Sequence, residues 1–244
     1  MAEMFARSDS RFDAARRLAG TDLAEALRDS RRRSLALVDE LDDAQWRVPQ
    51  QAGINPIAWE LAHLAWFGEF WILRGPHRAD AAGLIHAARP ARLAGPDALF
   101  DSARLAHGQR WQAALPARAE LLERLEVQLE ACLQALHLRE ADDAGLYFHR
   151  LSLFHEDMHG EALTWLRAAL GYPAPPGPAL APRPVATPLQ IEGAEVRLGW
   201  PRGRPGFAFD NELPGVRQVL PPYEIDSQVV TAGQYLRFVE AGGY

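Results

Sequence analysis

Up to Leu170, apolar residues recur at helical spacing; beyond it a proline-rich break gives way to shorter, strand-like runs. Leu23, Leu27, Ser34, Val38 and Leu41 follow a placed pair, Asp22 and Glu25, that spells a capping box. They predict a first amphipathic helix over Asp22–Leu41, with the run Arg31–Arg33 on its solvated face. Asn55-Pro56 supplies an N-cap and a first-position proline, and predicts a helix over Pro56–Arg74 that ends at Gly75-Pro76. Its stretch WELAHLAWFGEFWILR is apolar on nearly every side, as in a buried helix. Pro116 opens a third helix with Leu121, Leu122, Leu125, Leu129, Leu133 and Leu136 on its core face. Asp142 or Asp143 caps a fourth over Ala144–Leu170, stopped by Gly171 with Pro173 beyond. Residues 76–114 read as a long connection with short helical pieces. Four long helices joined in this way predict a four-helix bundle over residues 1–171, entered by a polar, Arg-rich lead-in over 1–20.

Seven prolines between Tyr172 and Pro188 predict a stiff linker over residues 172–190. Residues 191–244 change character. Ile191–Leu198 and Val216–Ile225 read as strands, and Thr231–Glu240 as a short capped helix. So few residues offer little core and no closing strands, which predicts a second domain that continues past Tyr244. The fold class is therefore multidomain: α first, then α+β.

Composition narrows the chemistry. The net charge of −6 argues against nucleic acid or an anionic membrane as the main partner. The one cysteine, Cys132, excludes an internal disulfide and any cysteine-built metal cluster. All 26 basic side chains counted as Lys or Arg are arginines, so Schiff-base chemistry has no lysine to use here. The charged N-terminus and the lack of a membrane-spanning apolar stretch predict a cytoplasmic protein.

Within the fourth helix, LSLFHEDMHGEALTWLR places His155 and His159 four residues apart, on one face and one turn from each other. Two such imidazoles can chelate one cation, or can be an ordinary pair of packed histidines. Glu161 completes H-x-x-x-H-x-E, but two residues of helix rotate it about 200° from His159. It reads as a carboxylate supporting the site from behind rather than as a ligand. His63, alone in the buried second helix, becomes the natural third ligand from a facing helix. His77, His86 and His107 lack ligand spacing and read as surface or structural. The same letters also spell H-E-x-x-H, the signature of zinc proteases with Glu156 as base. That alternative is poorly supported: Ala162 and Trp165 stand where the extended signature wants Gly and His, and Glu192, the first downstream carboxylate candidate, lies past the prolines.

The bundle with His63 and H-x-x-x-H-x-E resembles the DinB-like metal-binding helical domain. FAFDNELPGVRQVLPPYEIDSQVVTAGQYLRFVEAGGY resembles the opening of a formylglycine-generating-enzyme-type domain, which is C-type-lectin-like. In this order the two resemble the ergothioneine sulfoxide synthase family and its relatives, the selenoneine synthases. The resemblance implies a non-haem iron(II) enzyme with His63, His155 and His159 as ligands. It would use O2 to join sulfur or selenium to the imidazole C2 of hercynine, with catalytic residues mostly beyond Tyr244. The ligand set alone does not choose iron over zinc. Met158 stands where many ergothioneine synthases carry a substrate-facing Gln, and WELAHLAWFGEFW departs from their usual metal helix. Both departures favour a selenosugar donor. A thiol donor, γ-glutamylcysteine or cysteine, would want cations for its carboxylates, for which Arg74 and Arg78 are candidates. The other function classes are a DinB-like hydrolase or thiol transferase using a divalent metal, and a binding protein whose metal is structural.

Overall fold

The structure, a computed structural model, describes residues 13–139, 142–175, 177 and 185–243. Part of the expected lead-in (1–12) and part of the expected proline linker (176 and 178–184) lie outside the described residues. The chain divides into two compact units, Met1–Pro176 with Pro205–Phe207, and Gly177–Arg204 with Ala208–Tyr244.

The first unit is built on four long helices. α1 (Gly20–Ala36) starts two residues before the expected position, and its N-cap, Ala19, makes no side-chain bond. Asp22 therefore sits inside the first turn, where it favours the positive end of the helix dipole instead of capping it. The helix also stops short of Leu41. Val38 and Leu41 are buried, but from a turn, and α2 (Asp43–Trp46) follows with a true capping box between Asp42 and Gln45. Apolar spacing reported burial there, and the chain met it without a helix. Arg31 corrects the expectation of a solvated arginine face: it is buried and ion-paired to Glu156 on the fourth long helix.

α3 (Ile57–Gly68) is buried almost all round and continues as a π-helical turn, Glu69–Leu73. The wider turn coincides with a buried carboxylate. Glu69 accepts the backbone N–H groups of Arg92, Leu93 and Ala94 at 2.6–3.2 Å, which ties the long connection to the helix. Asn55 does not cap α3; its amide donates to Glu60 at 2.6 Å. The connection holds more order than the spacing of its residues suggested. β1 (His77–Ala79) and β2 (Ile85–Ala87) pair as an antiparallel hairpin, and α4 (Asp97–Phe100) follows. The three histidines of this stretch are occupied locally: His77 with the Phe70 carbonyl, His86 with Asp80, His107 with the Ile54 carbonyl.

α5 (Arg118–His137) buries Leu121, Leu125, Gln128, Cys132, Leu133 and Leu136, while Leu122 is exposed. α6 (Asp143–Ala169) is capped by Asp142, whose carboxylate accepts the Gly145 N–H at 2.7 Å. Gly171 ends it at φ +66°, a conformation that glycine adopts without cost. α6 packs on α1 and α3, and α3 also packs on α5. Trp59, Phe70, Leu121, Leu125 and Leu163 lie in the larger core, and Leu23, Leu27, Leu133, Leu146 and Leu153 in a second one. Among the described residues no helix is long and apolar enough to cross a membrane.

One core group makes the bundle sensitive to pH. His149 on α6 donates its Nε2–H to the Cys132 carbonyl at 3.2 Å, and its buried Nδ1 has no partner among the described residues. Burial pushes its pKa down to about 4. Between that value and the ordinary 6.5 the unfolded chain takes up a proton that the folded chain refuses, so stability falls as pH drops through this window. For this single group the loss from pH 7 to pH 5 amounts to about 2 kcal/mol. Urea unfolding of His149→Met is expected to lose that much less stability than the parent over the same interval; an equal loss in both proteins would contradict the assignment.

The second unit is α+β with two small sheets. β3 (Pro188–Ile191) pairs with β6 (Tyr223–Asp226), and β4 (Ala194–Leu198) with β5 (Val216–Leu220), all antiparallel. Each expected strand is thus two. Glu192-Gly193 breaks the first, and Pro221-Pro222, which have no N–H to donate, break the second. α7 (Ala232–Glu240) begins at a Thr231–Gln234 capping box. Val219, Ile225, Tyr235, Leu236 and Phe238 of this unit are exposed.

Candidate metal centre

α6 presents His155 and His159 one turn apart, with ring centroids 4.5 Å from each other, and α3 presents His63 from the facing side. The Nε2 atoms of His63 and His159 each lie 3.2 Å from that of His155, and one ligand atom from each residue falls within 4.8 Å of the others. Packing explains the convergence. His63 is buried and stacks on Trp59 at 4.8 Å and 9°, and the Trp59 indole donates to the Leu99 carbonyl at 2.9 Å.

The outer nitrogens define the inner ones. His63 donates Nδ1–H to the Phe100 carbonyl at 2.7 Å, so its Nε2 carries the lone pair. His159 donates Nδ1–H to the carboxylate of Glu60, which leaves Nε2 as the nitrogen turned toward the other two rings. Burial, then the neighbouring His159, push the His63 pKa down to about 4. Burial, then His63 and His159, hold His155 well below its ordinary value. The Nε2 atoms of His63 and His159 thus both close on the Nε2 of His155, between the two helices. A cation satisfies all three. Two nitrogens each about 2.0–2.1 Å from one zinc ion must lie less than about 4.2 Å apart, a condition that the two 3.2 Å spacings from His155 meet, while the set as a whole lies within 4.8 Å. The residues fit a metal, and the donor set suits zinc or iron(II) alike.

Glu60 is the carboxylate that the geometry brings to the site. It is buried between His159 and Asn55. Burial, the largest single effect, favours its neutral form, but His159 and Asn55 together outweigh it and hold its carboxyl below the usual range. A carboxylate in this position fixes the ring of a ligand and raises its basicity. Glu161, expected in that role, is exposed and hydrogen-bonds none of the three histidines. Met158 is 52 % exposed on α6. Glu156, the base of the protease alternative, is held in the interior by Arg31 and cannot serve that function. Arg74 is likewise committed: it is buried and makes two bonds to Asp97, at 2.6 and 3.0 Å. Burial works against ionisation of Asp97, yet the bonds from Arg74 and Trp66 hold its carboxyl below the usual range. Arg78 is exposed on β1.

Sequence reasoning passed over Glu60 and Arg110. The spacing Glu60-x-x-His63 puts carboxylate and imidazole on one helical face, a bundle signature of metal sites. Arg110 left no local signal. Its guanidinium lies 3.9 Å from the Trp59 ring, bonds Asn55 at 2.7 Å, and has a buried Nε without a partner among the described residues. Beside His63 and His155 a cavity of about 240 Å3 is walled by Trp66, Phe67, Phe70 and Trp71 and by the 83–85 turn of the hairpin.

Glu60→Gln keeps the shape and removes the charge behind His159. Metal affinity, read by chelator competition, is expected to fall roughly 10- to 100-fold. An unchanged affinity would show that Glu60 only packs.

These features define a helical bundle with a three-histidine centre on facing helices. Residues 26–168 match the family model described as the DinB superfamily, and the chain belongs to that superfamily. It is 31 % identical over 233 residues to hercynine oxygenase of Mycolicibacterium thermoresistibile, an alignment that covers 91 % of this chain and 49 % of that protein. Hercynine oxygenase of Mycolicibacterium smegmatis is 28 % identical over 93 % of the chain and 52 % of its own length. That of Mycobacterium tuberculosis is 29 % identical over 91 % and 51 %. The chain spans about half the length of these curated relatives.

Proposed function

We propose that this chain is the metal-holding part of a non-haem iron(II), O2-dependent enzyme that forms a carbon–selenium or carbon–sulfur bond at the imidazole C2 of hercynine. The observation that carries the proposal is the three-histidine centre inside a DinB bundle, in a chain aligned over nine-tenths of its length with hercynine oxygenases. His63, His155 and His159 would hold the iron. Bound there, iron would supply one-electron O2 chemistry and open positions for substrate. The chain's own residues prepare that chemistry: Glu60 and the Phe100 carbonyl orient two ligands, and the aromatic cavity limits water. Its ring faces also suit the trimethylammonium group of hercynine, which aromatic faces attract. In this proposal the second unit opens a formylglycine-generating-enzyme-type domain and the enzyme works in the cytoplasm.

For the donor we favour a selenosugar. Met158 offers no hydrogen bond, and Arg74, one of the arginines considered for a donor carboxylate, is spent on Asp97. A thiol donor, γ-glutamylcysteine or cysteine, has one observation on its side, the incompletely bonded Arg110 next to Trp59. The deciding assay supplies the whole protein with hercynine, iron(II) and O2, and in parallel a selenosugar, its thiosugar analogue, γ-glutamylcysteine and cysteine. Turnover of the thiol amino acids with none of the selenosugar would make it an ergothioneine-type enzyme. Turnover independent of O2, in a protein that purifies without iron, would instead favour a DinB-like hydrolase or thiol transferase.

A further inference from the structure

Two of the three histidines are held by hydrogen bonds at Nδ1, His63 by the Phe100 carbonyl and His159 by Glu60. The Nδ1 of His155 has no such bond among the described residues, yet its ring is the middle one, with both short spacings. What touches its face is Phe67: the two rings stack with centroids 3.5 Å apart and planes 7° from parallel. Phe67 lies one helical turn beyond His63 on α3, so the helix that presents one histidine also presents the ring against which another rests. We infer that Phe67 is a positioning residue for the metal centre, setting the imidazole plane of His155 as hydrogen bonds set the other two. This inference rests on the metal reading of the site.

Burial supports a role beyond core packing. Every other residue of α3 from Trp59 to Gly68 is buried; Phe67 is not. Its ring lies at the edge of the larger core, with its closest ring contact to His155 and with Trp71 and His63 farther off, at 6.1 and 6.2 Å between centroids. The stack also favours the loaded state over the empty one. Coordination draws electron density from an imidazole, and an electron-poor ring is attracted to the negative face of a phenyl group. Without the ring, His155 would turn about its side-chain bonds, and its nitrogen would reach the shared point only at an entropic cost.

The test compares Phe67→Leu, which keeps apolar bulk and removes the ring, with Phe67→Tyr, which keeps the ring. Cobalt(II) and zinc(II) affinities are measured by chelator competition, the cobalt ligand-field spectrum is recorded, and unfolding in urea is followed without metal. Phe67→Leu is expected to bind both ions roughly three- to thirtyfold more weakly, with an altered cobalt spectrum. Phe67→Tyr should restore affinity and spectrum, and the metal-free midpoints of all three proteins should nearly coincide. Parent-like affinity and spectrum in Phe67→Leu would overturn the inference, as would equal losses in both variants. His63→Ala, run alongside, separates the two layers. If it loses the metal while Phe67→Leu does not, the centre stands and the positioning role falls. If it retains full affinity, the three-histidine reading fails and takes the role of Phe67 with it.

Discussion

Replacing His63, His155 or His159 by alanine is expected to give protein that purifies nearly free of iron or zinc, while the parent holds about one ion per chain. Each substitution removes one of three nitrogens that share a single point, and leaves a cavity where the ring was. A two-nitrogen site keeps chelation only between neighbours on α6 or across one pair of helices, too little to retain an ion through dialysis. The three variants should be comparably poor in metal, because no ligand in the set is redundant. Glu161→Gln is the control, since its exposed side chain bonds none of the histidines. Metal analysis after dialysis decides the matter. Full occupancy in His63→Ala would place the third ligand elsewhere, and metal loss in Glu161→Gln would restore that carboxylate to the site.

Breaking the ion pair between α1 and α6 should produce the largest change in stability. Arg31 donates Nε–H to Glu156 at 2.6 Å and Nη2–H to its other oxygen at 3.1 Å. The same guanidinium donates to the Leu125 carbonyl at 2.6 Å and to Gln128 at 3.2 Å, so the group joins three helices. Both side chains are buried. Arg31→Met strands a carboxylate in the interior, and Glu156→Leu strands a guanidinium. Either change is expected to cost about 3–5 kcal/mol in urea unfolding. The double variant leaves no unpaired charge and should cost less than the sum of the two, and less than the worse single change. Additive losses would mean that the pair contributes packing alone. Metal affinity of the double variant should stay near that of the parent, because Glu156 faces Arg31 and not the histidines.

How far a residue's role could be read from the chain depended on how far away its partner lay. Within one turn of helix the physics is local. The spacing of His155 and His159 alone stacks two imidazoles, Asp142 caps α6 through a bond three residues long, and Gly171 ends that helix because it tolerates φ +66°. The burial of Trp59–Trp66 was equally legible, since a helix apolar on all sides has no face to give to water. The sequence by itself therefore determined the four long helices, their order and the pair of histidines.

Contacts across tens of residues decided the rest. Arg31 looks like a solvated arginine until α6 brings Glu156 to it, 125 positions away. Glu60, 99 positions from His159, supplies the carboxylate that the nearby Glu161 does not, because rotation along α6 turns Glu161 outward. The π turn at Glu69 accompanies a carboxylate tied to three backbone N–H groups of a distant loop, and no local preference announces such a bond. The hairpin β1–β2 depends on pairing between two runs of three residues, whose alternation is too brief to register. Periodicity specifies which face of a helix is buried; only the packed bundle selects the particular neighbour waiting there, and for a charged or metal-binding side chain that neighbour decides the chemistry.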